Sequence, residues 1–347
     1  MSILSAVKRW DWLRNLNSYR KYVKYVCKHY KSETSHSCVA TMCAVVNAQA
    51  RHISTKEFCF FHYMDLTREE QGRIVPWAEQ ASFYSMANTE EAGVLLCNKF
   101  STYERFKEYY RREVLSVPAE KAGSVEDFCN FARRNGKIVI KPIDANRGVG
   151  VRLINTSEMS DSDLALLLND YPDGAVAEGL IVQREALGAF HPQSVNTVRI
   201  NTIRYDDGVE VKWPCLRTGR GNSIVDNAGA GGIFVAIDEH TGVALGAADE
   251  KGNSYTHHPD SGLPLVDFVI PDWDKACTMA KRLAEMLPEN RFTGWDFALT
   301  DQGWLLVEGN YMPLIIWQIA ARKGIRPEFE AMRSRVMDNV KKSRKKD

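Results

Sequence analysis

The chain has 347 residues, 44% of them hydrophobic, with 45 basic and 44 acidic side chains and a formal net charge of +1. That balance describes a globular, water-soluble class with no bulk field toward nucleic acid, long enough for two domains or one multi-lobed enzyme. No apolar run approaches the roughly 18 residues that span a bilayer, the start lacks a signal-peptide apolar core, and eight scattered cysteines without a Cys-x-x-Cys pair point to a reducing cytosol and not to zinc or disulfides.

Residues 1–31 carry Lys8, Arg9, Arg14, Arg20, Lys21, Lys24, Lys28 and Lys31 against a single acid, Asp11. Tyr19, Tyr22, Val23, Val26 and Tyr30 recur at helical spacing, with lysines on another face. A basic amphipathic helix suits an anionic membrane surface, so peripheral membrane contact is one expectation. The favoured one is a domain helix with an apolar inner stripe. Residues 1–90 read as mainly helical, and Thr67 with Glu70 forms a capping box. A short strand or buried turn is expected over 93–99. Ser101 with Glu104 is expected to cap a helix to about Arg112, ended by Pro118, and Val125–Asn135 reads as a helix closed by Gly136.

Lys137–Pro142 is a β-branched strand, Asp144-Ala-Asn-Arg-Gly-Val-Gly150 a turn-rich loop, and Val151–Ile154 a returning strand. Gly148 and Gly150 let the backbone approach an anion, and Lys141 offers a point charge at the loop's mouth. The pattern is neither a P-loop nor a dinucleotide fingerprint, because a strand and not a helix follows it. A helix over 160–170 and a strand over 179–184 complete this lobe. The chain then becomes β-rich: Thr197–Tyr205, Val209–Trp213, Ile233–Asp238 and a hairpin at 293–309, with a helix over 274–287 between them. Arg199 and Thr197 point away from the face of Val198 and Ile200, and an arginine on a central strand needs an anion, either a carboxylate or a bound phosphate. Arg217 and Arg220 flank Gly219 and suit a substrate carboxylate or a phosphate. Asn196 and Asn227, with Gly231 and Gly232 in a flexible polar loop, are weaker substrate candidates. The adjacent His257 and His258 point to opposite faces and do not suggest a shared metal, and Cys215 reads as a buried, inert thiol.

In Thr293–Asn310 two apolar runs flank Asp301-Gln302-Gly303. A three-residue loop with Gly303 left-handed makes opposed residues sum to 604, which places Asp296 across from Glu308 with Asn310 on the same face. Two facing carboxylates repel unless something sits between them. A hard divalent cation held by Asp296, Glu308 and Asn310 answers that need, and Mg²⁺ usually arrives with phosphate. A solvated hairpin face is the alternative.

These features together resemble the ATP-grasp superfamily, and most nearly the sugar-transfer associated ATP-grasp proteins of polysaccharide genes. The matching residues are Ile140-Lys-Pro142, the loop 144–150, Ile181-Val-Gln-Arg-Glu185, Ser194–Arg199, Val225-Asp-Asn227 with Gly231-Gly232, Gly294-Trp-Asp296 and Val307–Asn310. The resemblance implies an α+β fold in which two subdomains clamp ATP with one or two Mg²⁺. It implies a helical region over 1–91, a nucleotide-clamping subdomain over 92–185, a metal- and substrate-binding subdomain over 186–330 and a basic tail over 331–347. It further implies Lys99 as a second phosphate-binding lysine, alongside Lys141, Asn146, Arg147, Gly148, Val149 and Gly150. Gln183, Arg184, Glu185 and Ala186 fall at the hinge that reads the adenine. The implied chemistry is a cytoplasmic carboxylate–amine ligation through an acyl phosphate, on a small or sugar-linked substrate, with Arg199 and Arg217 steering the carboxylate. A kinase of the same fold and a non-catalytic nucleotide-binding regulator are the alternatives.

Overall fold

The computed structural model describes residues 20–28, 30, 37–117, 122–144 and 148–343. Tyr19, Lys31, Pro118, Asn146 and Arg147, each named above, lie outside the described residues. Two antiparallel sheets organise the chain. The smaller contains β1 (Val114–Val117), β2 (Lys137–Pro142), β3 (Arg152–Asn155) and β4 (Ala175–Gly179) in the order β1-β4-β2-β3. The larger contains β5 (Thr197–Tyr205), β6 (Gly208–Thr218), β7 (Ile233–Ile237), β8 (Ala244–Asp249), β9 (Ser254–Tyr255), β10 (Phe292–Thr300) and β11 (Gly303–Asn310). Its order is β11-β10-β5-β6-β7-β8-β9.

Strand alternation assigns the two faces of the large sheet to different cores. Val198, Ile200, Leu216, Phe297 and Leu306 enter a core shared with the helices Glu90–Cys97, Lys99–Tyr110 and Trp273–Glu285. Ile203, Tyr205, Cys215, Phe234 and Phe292 face the other way, onto helices drawn from 20–87 and from the C-terminal end. There the Tyr84 ring stacks on Phe292 at 4.8 Å. The N-terminal helices therefore share one core with the sheet. The boundary expected at 331 falls inside the helix Arg326–Ser343, whose Met332 and Val336 are buried, so the chain to Ser343 is no loose tail. A third core fills the small sheet with Phe128, Phe131, Leu164 and their neighbours.

Local chemistry explains most of the element ends. Thr67 and Glu70 form the expected capping box, and Gly136 closes its helix at φ +66°. Residues 93–99 are not a strand. Thr89 caps a helix, and Gly93 within it lies where an added Cβ would stand 3.2 Å from the Tyr311 ring. The next helix is capped by Asn98, whose side chain accepts from the Ser101 amide, and not by Ser101. The strand expected over 179–184 is found at Ala175–Gly179, and residues 180–184 leave the sheet. Among the described residues no helix is long and apolar enough to cross a membrane.

Candidate functional site

The acidic hairpin meets its expected pairing by an unexpected route. The turn has two residues, Asp301 and Gln302, because Thr300 pairs with Gly303 and Phe297 with Leu306. That register would set Val307 opposite Asp296. A β-bulge at Val307 inserts one residue and restores the offset, so Asp296 pairs with Glu308 and Gly294 with Asn310. Leu306 thereby keeps its place in the core while Glu308 shares the face of Asp296.

Asp296 is fully buried. Arg199, its cross-strand partner on β5, donates from Nε to Oδ1 and from Nη2 to Oδ2, both at 2.7 Å. Arg217 Nη2 reaches Oδ2 at 3.0 Å and Asp226 Oδ1 at 3.1 Å. The Thr197 hydroxyl and amide both donate to Asp226, and Arg217 Nε donates to Thr197 Oγ1 at 3.1 Å. The anions that Arg199 and Arg217 require are thus carboxylates of the protein itself, which corrects the expectation that they point at a bound ligand. Two consequences follow for the acids. Burial pushes the Asp296 carboxyl up, but Arg199 and Arg217 outweigh it and hold it well below the usual range. Glu308, 38% exposed on its side chain and 3.9 Å from Arg199, is pushed up by burial and then by Asp296. The two carboxyls are thus driven in opposite directions, Asp296 toward the ionised form and Glu308 away from it.

A second charged cluster lies on the small sheet. Glu178 on β4 is buried between Lys141 Nζ at 2.5 Å and a two-pronged Arg112 at 2.7 and 2.9 Å. Arg112 also donates to the carbonyls of Leu306 and Val307, at 2.7 and 3.3 Å. One guanidinium so ties Lys141, through Glu178, to the bulge that aims Glu308. Lys99 hydrogen-bonds through its amide to Ile143 O. Its ammonium is destabilised by burial and then by Lys141, and partly restored by Glu308, Glu178 and Asp144. The lysines and the acidic hairpin therefore feel one another across the gap between the sheets. Gly148 and Gly150 have φ of +74° and +73°. A Cβ on Gly148 would come within 2.7 Å of Asn227 Nδ2, so the glycine loop closes against the loop after β6. Val149 is exposed on that turn.

The other candidates divide. Gln183 spends its amide within the protein, donating to Ser194 O at 2.6 Å and accepting from the Asn196 amide at 2.7 Å. Asn196 is fully buried, bonded to Leu187 O and by Thr218 Oγ1, and cannot face a substrate. Arg184 pairs with Asp272 while its amide reaches Leu299 O on the large sheet, so 180–184 does cross between the sheets. Glu185 and Ala186 open a short helix. Arg220 is held by the Tyr255 hydroxyl at 2.6 Å and Asp249 at 3.5 Å. Gly231 (φ +90°) and Gly232, whose added Cβ would overlap Asp226 O, shape a tight 3₁₀ turn over Ala228–Ala230. Sequence reasoning missed Arg112, Glu178 and the role of Asp226. An acid inside the apolar strand Ala-Val-Ala-Glu-Gly was the available signal.

Among the described residues no three His, Cys, Asp or Glu side chains gather into a metal site. The donors on the hairpin nevertheless fit a hard cation. Glu308 faces Asp296, whose charge pushes its carboxyl up, and a cation there would relieve that repulsion. Asn310 donates through Nδ2 to Asp296 Oδ2 and Gly294 O, and no described donor reaches its Oδ1. A cavity of about 440 Å³ lined by Glu108, Arg111, Asp274 and Arg282 among others holds none of these residues.

Comparison with known proteins gives one family: sugar-transfer associated ATP-grasp proteins match residues 78–334. No curated protein matches. Among solved structures, D-alanyl-alanine synthetase A from Vibrio cholerae is similar at 12% identity and a TM-score of 0.45, over 73% of this chain and 67% of that one. The D-alanine-D-alanine ligase from Coxiella burnetii is similar at 8% identity and 0.43, over 74% and 62%. The ATP-grasp ligase PsnB, solved with a minimal precursor, is similar at 14% and 0.44, over 72% and 64%. The chain thus spans less than two thirds of the length of the last two.

Proposed function

This chain belongs to the sugar-transfer associated ATP-grasp family, and we propose that it is an ATP-dependent ligase joining a carboxylate to an amine on a cell-surface glycan precursor in the cytoplasm. The observation that carries the reading is the alignment of Asp296, Glu308 and Asn310 on one hairpin face, in electrostatic reach of Lys99 and hence of Lys141. A pure binding protein has no need of a strained acid pair opposite its phosphate lysines.

In this reading the ATP phosphates lie under the glycine loop against Lys141 and Lys99. The adenine sits beside the crossing segment at Leu180–Val182, because the Gln183 amide is already spent. Glu308 and Asn310 Oδ1 are the oxygens that would hold Mg²⁺, which when bound would supply charge neutralisation at the phosphates, while Asp296, its own oxygens taken by Arg199 and Arg217, holds Asn310 from behind. Arg199 and Arg217 keep Asp296 ionised and fixed, and Asp296 in turn fixes the Asn310 amide before ATP arrives. A substrate carboxylate oxygen attacks the γ-phosphorus and ADP leaves. The amine then displaces phosphate from the acyl phosphate to give the amide.

Oxygen-18 tests this directly. The protein is given ATP, Mg²⁺, amine acceptors and pooled amino acids and sugar acids labelled in their carboxylates. Label in the released inorganic phosphate is the expected result, since the attacking oxygen stays on phosphorus. ADP with a stable phosphorylated product and no labelled phosphate would replace the ligase with a kinase.

A further inference from the structure

We propose that the outer face of the N-terminal helices is a docking surface for an anionic lipid bilayer. The helix Cys38–Ala50 has the sequence CVATMCAVVNAQA, without one charged residue. Its Val45 and Ala48 are buried in the core. Its outward face is also apolar: Val39, Met42 and Val46 are 72%, 58% and 49% exposed, at spacings that form a single stripe. An outer helix of a water-facing cap ordinarily carries charge there.

The segment 20–28 is anchored in the same core. Its Tyr22 and Val26 are buried there, and the Tyr22 hydroxyl donates to Ile53 O and Ser54 O, just beyond the end of the uncharged helix. Its other face exposes Arg20, Lys21, Lys24 and Lys28. Neither segment contains an acid. An exposed apolar stripe and an exposed cationic segment anchored in one core have the composition of an interfacial surface, where apolar side chains enter the headgroup boundary and lysines meet anionic lipid. Charge complementarity selects this occupant. In a symmetric contact between two copies the four cations of each would face those of the other. The surface stands apart from the ATP site, so the inference does not depend on the ligase reading.

Vesicle co-sedimentation tests it, with phosphatidylcholine alone and phosphatidylcholine mixed with phosphatidylglycerol. The full chain should bind the mixed vesicles and not the neutral ones, and lose binding as salt rises. Val39→Asp with Met42→Asp should lower partitioning tenfold or more, and so should Lys24→Glu with Lys28→Glu, at about one kcal/mol per cation near the surface. Both double variants alter exposed positions, so circular dichroism and the thermal midpoint should stay at wild type. No binding to the mixed vesicles, binding unchanged in both variants, or concentration-dependent self-association through this face would each overturn the proposal.

Discussion

Replacing Glu178 by glutamine removes the carboxylate on which Lys141 and Arg112 converge and changes little in shape. The cost can be worked from the site. Burial alone would raise the Glu178 pKa, but Arg112 and Lys141 outweigh it and bring it from an ordinary 4.5 down to about 2. A depression of that size corresponds to about 3 kcal/mol. The value agrees with the roughly 3–5 kcal/mol expected when one partner of a buried ion pair is removed and the other charges stay behind. The sign is fixed. A group whose folded pKa is lowered stabilises the protein above its unfolded pKa and loses that contribution as pH falls through the folded value. Urea unfolding of wild type and Glu178→Gln should therefore differ by about 3 kcal/mol at pH 7. By pH 3 the difference should shrink to less than half. A gap of the same size at both pH values would refute the assignment of the effect to charge and leave packing as its cause.

The two hairpin acids should behave unlike one another. Asp296→Asn leaves Arg199 and Arg217 facing a neutral group in a buried setting and should destabilise the fold by about 3 kcal/mol or more by denaturant titration. Glu308→Gln should leave the unfolding midpoint unchanged or higher while abolishing ATP turnover. Lys141→Ala should weaken ATP binding about tenfold by calorimetry, and unchanged affinity would remove it from the phosphate site. Gly148→Ala meets both a left-handed φ and the Asn227 amide. It should weaken ATP binding, and Asn227→Ala should recover part of that loss, the backbone cost of about 1–2 kcal/mol remaining.

The strand pattern and the acidic hairpin were legible because both depend on neighbours in sequence. Thr197–Tyr205 falls at its expected bounds, and Asp296 meets Glu308. What escaped depends on distance along the chain. Arg199 and Arg217 showed as arginines in need of an anion, but the anion is Asp296, nearly a hundred residues on from Arg199. Lys141 reads as a phosphate lysine, while Glu178, which holds it, and Arg112, which shares that carboxylate, come from a separate strand and loop. Residues 93–99 read as a short strand or buried turn because Val-Leu-Leu is β-compatible. The cap at Thr89 and the contact of Gly93 with Tyr311 decide otherwise.

The bulge at Val307 makes the hairpin a parity device. The face that Glu308 presents depends on whether the residues between it and Asp296 number odd or even, counting the turn and the bulge together, and not on where the extra residue sits. Moving one residue from the bulge into the turn would leave the acid pair opposed but would turn Trp304 and Leu306 out of the core onto the face of Asp296. Deleting one residue from the turn while the bulge persists would send Glu308 to the face of Phe297 and Leu306. The acid pair and the core therefore keep their faces together only while the extra residue lies between Leu306 and Glu308.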